Sequence, residues 1–499
     1  MSTSDSPTGG DAAVIDIGSN SVRLVIYRLE GRAIWTVYNE KVLAGLGREV
    51  AQTGRLAPEG VDAALNAIRR FRAVLGACRP NSVAVVATAA VREATDGPDF
   101  VDKVWRATGL KVRVLSGEEE AKFSGLGVLA GTPDAQGLAG DLGGSSLELI
   151  PLADGQPARG ITLPLGPFAL REGESFDLDR TRTRVRKILD KADGRFQAET
   201  LYAVGGGWRN FALLQMQIAG YPLQILHQYE MSAADALDAA RLLARQSRGS
   251  LERAPGVSRR RLDAIPYAAL VLEGLIERLN LRRVSISAYG VREGLLLDAM
   301  SPQVRALDPL VAGCATLGAR SGAAIGDDLG ATLDAWLKPL FSTLTPMFEH
   351  RDAVLTSAAC HLADLGARLH PDHRDELVFE QVLRAPLSGV AHAERVFLAV
   401  TMFGRHSSSP NTPERETVAR ILSPERMARA RALGSAMRLG CDLSGRCPEL
   451  LAQSQLTVAD GVIRLTANPG WADMLLGEQT AKRATTLAGQ LGLGLKLGA

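Results

Sequence analysis

The fold is decided by a phrase that occurs twice, DIGSNSVRLVIYRLEG at residues 16–31 and DLGGSSLELIPLADG at residues 141–155. Four positions pair when the copies are aligned: Asp16 with Asp141, Gly18 with Gly143, Ser21 with Ser146, and Leu24 with Leu149. In each copy an apolar strand ends in an aspartate and a turn of small residues, and a second apolar strand follows. Such turns expose backbone N–H groups and hydroxyls to an anion. Two of them facing each other would hold a phosphoryl chain.

The segments around these phrases predict an α/β architecture, because short β runs alternate with amphipathic helices from Ala12 to about Ala153. AVIDI and VRLVIY predict a hairpin, and residues 58–78 predict a helix with one apolar stripe. The second copy repeats this plan to about residue 300. Beyond Asp308 the β signal fades and periodic Ala/Leu/Arg-rich segments predict a helical domain, with SPQVRALDP as the linker. A hairpin in QLTVADGVIRLTAN and a helix from Trp471 predict a small α+β cap.

Composition sets the class of protein. A chain of 499 residues, 46% hydrophobic and 22% charged, predicts a globular protein of three or four domains. No apolar run is long enough to cross a bilayer, and MSTSDSPTGGDAA lacks the pattern of a secretion signal, so we expect a cytoplasmic protein. Five scattered cysteines argue against a disulfide framework. The net charge of +2 gives no general attraction for nucleic acid or membranes, and neither is expected as a partner.

The small residues of the two turns have two interpretations. Gly, Ser, Asn and Asp dominate ordinary turns for conformational reasons. The occurrence of both turns at the same point of two similar units favours a phosphate site instead. The candidate phosphate ligands are the turn residues Gly18, Ser19, Asn20, Ser21, Gly143, Gly144, Ser145 and Ser146.

A second group of acids follows in SGEEEAKFSGLG, where Glu118, Glu119 and Glu120 begin a predicted helix. Acids favour a helix N-terminus for structural reasons, but one that points inward can deprotonate a water beside a bound phosphate. Glu148 lies two residues after Ser146 on the departing strand and therefore projects to the same face. It can join Asp141 around a metal ion.

Two further features are weaker. AVGGGWRNFA places Gly205, Gly206 and Gly207 between a strand and a helix, where a phosphate can bind the helix N-terminus; a tight turn explains the glycines equally well. Arg92 follows a strand end and can donate to a phosphate. An ordinary surface arginine is the alternative.

In these motifs the chain resembles the exopolyphosphatase and guanosine pentaphosphatase family, whose core belongs to the actin, sugar-kinase and Hsp70 ATPase superfamily. DIGSNSVRLVIY and GDLGGSSLELI resemble its two phosphate motifs, and SGEEEAK resembles its catalytic-glutamate motif. TAAVREA, AVGGGWRNFA and YGVREGLLLD follow in the expected order. The resemblance covers nearly the whole chain.

The resemblance implies roles for individual residues. Glu120 would be the base that activates water, while Asp141 and Glu148 would position Mg²⁺ or another divalent cation, with Asp16 nearby. The two turns and Arg92 would bind phosphates. A homodimer is the family expectation.

The resemblance also implies two ribonuclease-H-like subdomains with the active site in the cleft between them, then an HD-like helical domain and a small C-terminal domain. The expected divisions are a disordered tail (1–12), the two subdomains (13–130 and 131–302), the helical domain (310–430) and the α+β domain (431–499).

The chain departs from the family pattern at two places. Ser145 replaces the third glycine of the second phosphate motif, and Leu147 replaces its threonine. In AACHLADLGARLHPDHRDE, His361 and Asp364 are three residues apart instead of adjacent. A second catalytic centre is therefore not expected there, and the helical domain is assigned a role in dimerisation or polyphosphate binding.

The leading hypothesis is a metal-dependent exopolyphosphatase that removes terminal phosphate from inorganic polyphosphate by Glu-activated water. Hydrolysis of guanosine pentaphosphate would use the same residues. An actin-like ATPase or kinase also has twinned Asp-Gly turns; Glu120 argues against it, whereas Trp208 leaves a purine-stacking site open. A non-catalytic phosphate sensor is disfavoured by the retained acids.

Overall fold

The protein is described by a computed structural model covering residues 9–171, 176–192, 194–253, 259–319 and 329–498. The chain forms two compact units, Met1–Ala306 and Leu307–Ala499. The boundary between them lies within SPQVRALDP, the segment that the sequence suggests as a linker.

The described part of the first unit contains two β-sheets. Its strands are β1 Gly9–Ile17, β2 Val22–Glu30, β3 Ala33–Val42, β4 Ser82–Ala87, β5 Arg113–Val114, β6 Gly137–Leu142, β7 Leu147–Ala153, β8 Gln156–Pro157, β9 Ile161–Leu163, β10 Thr200–Val204, β11 Glu230–Ser232 and β12 Arg283–Ile286. Five strands pair in the order β3-β2-β1-β4-β5, and seven form the other sheet in the order β11-β12-β10-β6-β7-β8, with β9 beside β7.

The two sheets repeat one plan. In each, the first strand of a hairpin, β1 or β6, has its antiparallel partner on one side and a parallel strand, β4 or β10, on the other. Parallel strands require a crossover, which helices supply here. This repetition confirms the predicted α/β class with two ribonuclease-H-like subdomains.

The sheets are covered by helices. In the first unit they are α1 Val50–Thr53, α2 Pro58–Cys78, α3 Ala89–Glu93, α4 Gly97–Thr108, α5 Gly117–Gly131, α6 Pro167–Leu170, α7 Leu178–Leu189, α8 Gly206–Ile218, α9 Ala233–Ala244, α10 Arg248–Leu251, α11 Ile265–Leu279, α12 Val291–Ala299 and α13 Pro302–Arg305. Short 3₁₀ turns span Gly194–Phe196 and Arg259–Ala264. The predicted stripe of α2 is confirmed, since Ile68, Phe71 and Leu75 are buried.

Helices α5 and α12 pack in the apolar cluster that also contains residues of both sheets. Their backbones are in close contact: a Cβ atom at Gly294 would lie 1.8 Å from the carbonyl oxygen of Phe123, and one at Gly127 would lie 2.1 Å from that of Gly290. Only glycine fits at these two positions. The close approach fixes the helices that carry Glu120 and Arg292.

The second unit is mainly helical in its described residues. Its helices are α14 Pro309–Gly318, α15 Leu329–Phe341, α16 Asp352–His361, α17 Arg374–Arg384, α18 His392–His406, α19 Arg415–Ile421, α20 Pro424–Ser444, α21 Pro448–Leu451, α22 Ala472–Leu475 and α23 Glu478–Leu491, with 3₁₀ turns at Glu349–Arg351 and Pro371–His373. A three-stranded sheet of β13 Ser454–Ala459, β14 Val462–Ala467 and β15 Gly494–Gly498 follows. The predicted hairpin is β13–β14, and β15 adds a parallel strand that the sequence did not predict.

Two predicted boundaries need correction. Residues 9–12, assigned to a disordered tail, belong to β1, where Gly9 to Ala12 pair with β2; residues 1–8 lie outside the described part. The division between residues 430 and 431 falls inside α20, a continuous helix that extends to Ser444. The helical and α+β segments are therefore not separated there. Among the helices described, none combines the length and apolarity needed to span a bilayer.

Candidate active site

The two predicted turns have the same internal structure. Asp16 and Asp141 lie near the ends of β1 and β6. In the first turn the amide of Gly18 donates to the carbonyl of Ser21 at 3.0 Å, and in the second Gly143 donates to Ser146 at 2.9 Å. The duplicated phrase therefore folds into duplicated turns.

The turns lie against each other. A Cβ atom at Gly144 would lie 3.0 Å from the Cβ of Ser19 and 3.4 Å from the amide nitrogen of Asn20, so the second turn touches the first. A cavity of about 450 Å³ opens beside them. Its lining includes Asp16, Gly18, Ser19, Asn20, Ser21, Glu120, Asp141, Gly143, Gly144, Ser146, Gly205, Gly206 and Gly207. The structure thus brings together most of the predicted site residues; Ser145, Glu148 and Arg92 are not in the lining.

Several backbone amides remain available to a ligand. In the chain as described, the N–H groups of Ser19 and Asn20 in the first turn, and of Gly144 and Ser145 in the second, donate to no protein acceptor. The N-terminus of α8, which begins at Gly206, also lines the cavity. The first N–H groups of a helix have no intrahelical acceptor. Unused donors of this kind are suited to phosphate oxygens.

The three consecutive glutamates have different surroundings. Glu118 is exposed, 3.7 Å from Arg159. Glu119 completes a capping box with Ser116 and pairs with Arg113. Glu120 is buried and reaches the cavity. The structural explanation of helix-start acids therefore accounts for Glu119, and only Glu120 is positioned to act on a ligand in the cavity.

Glu120 is held by Arg92. The Nη1 atom of Arg92 lies 2.7 Å from Glu120 Oε2 and also donates to the carbonyl of Leu115 at 2.9 Å. Burial raises the pKa of Glu120 to about 7, the positive charge of Arg92 opposes this rise, and Asp141 adds to it. A carboxylate with a pKa near neutrality suits general-base catalysis. The contacts of Arg92 indicate a positioning role; phosphate binding by Arg92 stays a prediction.

Three more carboxyl groups surround Glu120. Burial raises the pKa of Asp16, Asp141 and Glu148. Repulsion from Asp16 adds to the rise for Asp141, and repulsion from Glu120 and Asp141 adds to the rise for Glu148, whereas Arg292 opposes the rise for Asp16. Asp141 and Glu148 are direct cross-strand neighbours, and Ser124 donates to Asp141 at 2.5 Å. The Oε1 atom of Glu148 is buried without a hydrogen-bond partner. In their ionised form, buried carboxyl groups of this kind require a compensating cation.

These oxygen donors fit Mg²⁺, which is commonly held by one or two carboxylates together with water and substrate phosphates. No group of three or more His, Cys, Asp or Glu side chains within the described ranges has the geometry of a preformed metal site. This applies to the described residues of the HD-like segment as well. A cation at Asp141 and Glu148 would therefore depend on the ligand for further coordination.

Basic side chains that the sequence reasoning missed occupy the same cavity: Arg23, Lys41, Arg209 and Arg292. Arg292 Nε lies 3.9 Å from Asp16 Oδ2, and its Nη1 has no hydrogen-bond partner. Burial, together with the charges of Arg292 and Arg209, lowers the pKa of Arg23 to about 10. Buried, mutually repelling cations indicate a site for a polyanion.

A signal for Arg292 exists in the sequence. The tripeptide Val-Arg-Glu occurs at residues 91–93 and again at residues 291–293, each time in a helix that follows a strand of the sheets. Arg92 comes from the first occurrence and Arg292 from the second. The duplication that identified the turns therefore extends to a pair of arginines.

The third glycine turn lines the cavity, and its first glycine is also required by the backbone conformation. Gly205 has φ +114°, and a Cβ atom there would lie 2.3 Å from the carbonyl oxygen of Leu142, so only glycine fits. Trp208, the third residue of the following helix α8, is fully buried, and its Nε1 donates to the carbonyl oxygen of Ala268 at 3.0 Å. The suggestion that Trp208 stacks on a purine is wrong, because the ring belongs to the core.

Comparisons with known proteins identify the family of the chain. Residues 25–303 match the Ppx/GppA phosphatase family, and residues 340–497 match the exopolyphosphatase C-terminal family. The chain is 26% identical over 303 residues to exopolyphosphatase 1 of Mycobacterium tuberculosis, covering 58% of this chain and 88% of that protein.

Solved structures show the same fold. A crystal structure of an exopolyphosphatase-like protein is 25% identical, with a TM-score of 0.54, and covers 58% of this chain and 98% of its own. An exopolyphosphatase from Cytophaga hutchinsonii is 24% identical, with a TM-score of 0.53, and covers 57% of this chain and 96% of its own. The second likeness concerns the fold alone.

Proposed function

The chain belongs to the Ppx/GppA phosphatase family, and we propose that it is an exopolyphosphatase that removes terminal phosphate from inorganic polyphosphate. The observation that carries the proposal is Glu120, a buried carboxyl group with a pKa of about 7 at a cavity lined by two phosphate-type turns. The comparison with a relative named exopolyphosphatase supports the substrate class.

In the proposed reaction, the terminal phosphoryl group lies against the two turns. The free amides of Ser19 and Gly144 donate to its oxygens, and Arg292 and Arg209 offset the charge of the chain. Glu120, oriented by Arg92, accepts a proton from the water that attacks the terminal phosphorus. The shortened chain leaves as the bond between phosphorus and the bridging oxygen breaks.

A divalent cation is proposed beside Asp141 and Glu148, with Asp16 near it. When bound, Mg²⁺ neutralises charge on the transferred phosphoryl oxygens. The unpartnered Oε1 of Glu148 and the repulsion among the buried carboxyl groups support this assignment. We expect chelation of the metal to abolish turnover. The homodimer implied by the resemblance stays a prediction.

A neighbouring cavity bears on the substrate. It has a volume of about 720 Å³ and shares Asn20, Pro167, Phe168 and Ala264 with the first. Arg48, Arg171 and Arg248 line it, which suits the remainder of a phosphate chain. The rings of Phe168, Phe176 and Tyr267 line it too, and aromatic rings can also receive a purine base. Guanosine pentaphosphate is therefore the second candidate substrate.

One assay separates these substrates from the remaining alternatives. Purified protein is incubated with Mg²⁺ and, separately, long polyphosphate, guanosine pentaphosphate or ATP, and the released phosphate is measured. We expect the largest kcat/KM with polyphosphate. Preference for guanosine pentaphosphate would select the second candidate, preference for ATP would select an ATPase, and tight binding without any release would select a sensor.

A further inference from the structure

The second unit contains a polar cavity of its own, with a volume of about 230 Å³. Its charged or titratable lining residues are Asp364, Arg374, Arg405, His406, Asp442 and Arg446. The volume is below the roughly 300 Å³ at which pockets for drug-sized ligands begin, so the cavity suits a small ion rather than a nucleotide.

Arg405 is the unusual member of this lining. The residue, on the last turn of α18, is only 8% exposed, and its Nε has no hydrogen-bond partner. Among the residues described, no carboxylate lies within salt-bridge distance of its guanidinium. The nearby Cys441 thiol is buried, and burial raises its pKa, so it supplies no negative charge. A buried guanidinium without a counter-ion is costly.

The other residues do not neutralise Arg405. Asp364 lies 3.6 Å from Arg446, and Asp442 lies 3.1 Å from Arg483 and 3.9 Å from Arg438. Both carboxylates therefore have arginine partners of their own. Burial lowers the pKa of His406 to about 4, with the charges of Arg405 and Arg374 adding to this, so the imidazole is neutral at physiological pH.

Arg374 is a second arginine whose guanidinium has a donor without a hydrogen-bond partner. Its Nη2 donates to the carbonyl of Leu369 at 3.2 Å, while its Nε is buried without a partner. The lining thus carries three arginines against two aspartates in a small space. The guanidinium group matches phosphate oxygens with paired N–H donors, and such charge-assisted hydrogen bonds are strong.

We propose that this cavity binds a small inorganic phosphate anion, with Arg405 and Arg374 donating to its oxygens. Asp364 and Arg374 belong to the segment that resembles an HD phosphohydrolase, so the segment would hold an anion in place of a metal. The binding site lies within the second unit and is separate from the chemistry proposed for Glu120.

The test is equilibrium dialysis of radiolabelled pyrophosphate against the full chain carrying Glu120→Gln, a substitution expected to slow turnover. We expect Arg405→Met, added to this background, to remove one bound pyrophosphate per chain or to weaken that site at least about tenfold. Arg420→Met is the matched control, because Arg420 is 44% exposed at its side chain and does not line the cavity. It should bind as the parent does.

Thermal unfolding in phosphate-free buffer checks that the variant is folded. Arg405→Met should be at least as stable as its parent, because it removes an uncompensated buried charge. If it fails to fold, Arg374→Met replaces it, with the same expected loss. Unchanged pyrophosphate stoichiometry and affinity in the folded variant, or an equal loss in Arg420→Met, would overturn the proposal. Because each variant is compared with the Glu120→Gln parent, the result does not depend on which substrate the first unit hydrolyses.

Discussion

Glu118, Glu119 and Glu120 are adjacent in the sequence and nevertheless meet three environments. Successive residues of a helix point about 100° apart, which directs Glu118 to solvent, Glu119 to the capping box and Glu120 to the cavity. The sequence predicted that one acid points inward. Only the resemblance selected Glu120, and the structure gives the physical reason.

Arg92 should set the pH dependence of turnover. Glu120 must be ionised to act as a base, and its pKa of about 7 places the acid limb of the kcat/KM profile near neutrality. The charge of Arg92 lowers this pKa, so Arg92→Met should raise it and move the limb to higher pH by about one to three units. The measurement is kcat/KM for polyphosphate from pH 5 to 9.

The control for this prediction is Arg92→Lys, which keeps a positive charge and should move the limb less. An Arg92→Met variant with the parental limb and a higher KM at every pH would instead assign Arg92 to phosphate binding. Either pattern distinguishes positioning of the base from contact with substrate.

The buried carboxyl group of Glu148 should lower the free energy of unfolding of the folded protein at neutral and higher pH. Its folded-state pKa is raised well above the ordinary value, so the folded protein retains a proton that the unfolded chain loses as pH rises. The free energy of unfolding therefore falls as pH rises above about 4.5. Glu148→Gln should be more stable than the parent at pH 8, by roughly 1–3 kcal/mol, with little difference at pH 4.

Thermal unfolding in EDTA at both pH values measures this difference. Equal stability of parent and variant at pH 8 would mean that the buried carboxylate has a partner in solution. The same variant should lose turnover if Glu148 contributes to cation binding.

At the scale of elements, contact between the two turns should control catalysis. A Cβ atom at Gly144 would lie 3.0 Å from that of Ser19, on the other turn, whereas one at Gly143 would approach only its own turn, 3.4 Å from the carbonyl of Ser146. Gly144→Ala should move the turns apart by a few tenths of an ångström and lower kcat for polyphosphate about tenfold or more, because small misplacements are costly.

Gly143→Ala is the matched control, since both glycines lie in the same turn and neither has a positive φ. We expect it to lower kcat much less. Similar kcat values for the two variants would show that apposition of the turns does not limit the reaction. Parallel thermal unfolding identifies any loss of folding.

The acidic half of the site was predicted from the sequence, and the basic half was missed. Strand-turn-strand phrases are local, so the sequence located both aspartates and both turns. Arg209 and Arg292 belong to different helices and line the same cavity as Asp16 only because the two sheets pack together. For the same reason Trp208 could not be assigned: a ring beside a glycine turn faces either the cavity or the core, and here it faces the core.

The whole molecule consists of two compact units, and every residue of the 450 Å³ cavity belongs to the first. A relative's crystal structure is covered over 98% of its length by 58% of this chain, so a protein of that size folds without a second unit. We expect a fragment of residues 1–306 to fold and to release phosphate from polyphosphate. Circular dichroism and phosphate release test this, with the Glu120→Gln fragment as control.

A folded but inactive fragment would show that the second unit supplies a residue or an alignment that the reaction needs. The sequence placed the linker correctly, because the β signal fades there and proline residues interrupt the pattern. It misplaced the start of the last domain, since α20 continues without a break from Pro424 through residue 431 to Ser444.

The most direct test of the account compares three glutamine variants of adjacent residues in single-turnover hydrolysis of polyphosphate with Mg²⁺. Glu120→Gln should lower the rate by about 10²–10⁴-fold while binding polyphosphate as the parent does. Glu118→Gln and Glu119→Gln should stay near the parental rate. The Glu118 side chain is exposed, and a glutamine at position 119 also completes the capping box. Parental turnover in Glu120→Gln, or an equal loss in Glu118→Gln, would contradict the proposed role of Glu120.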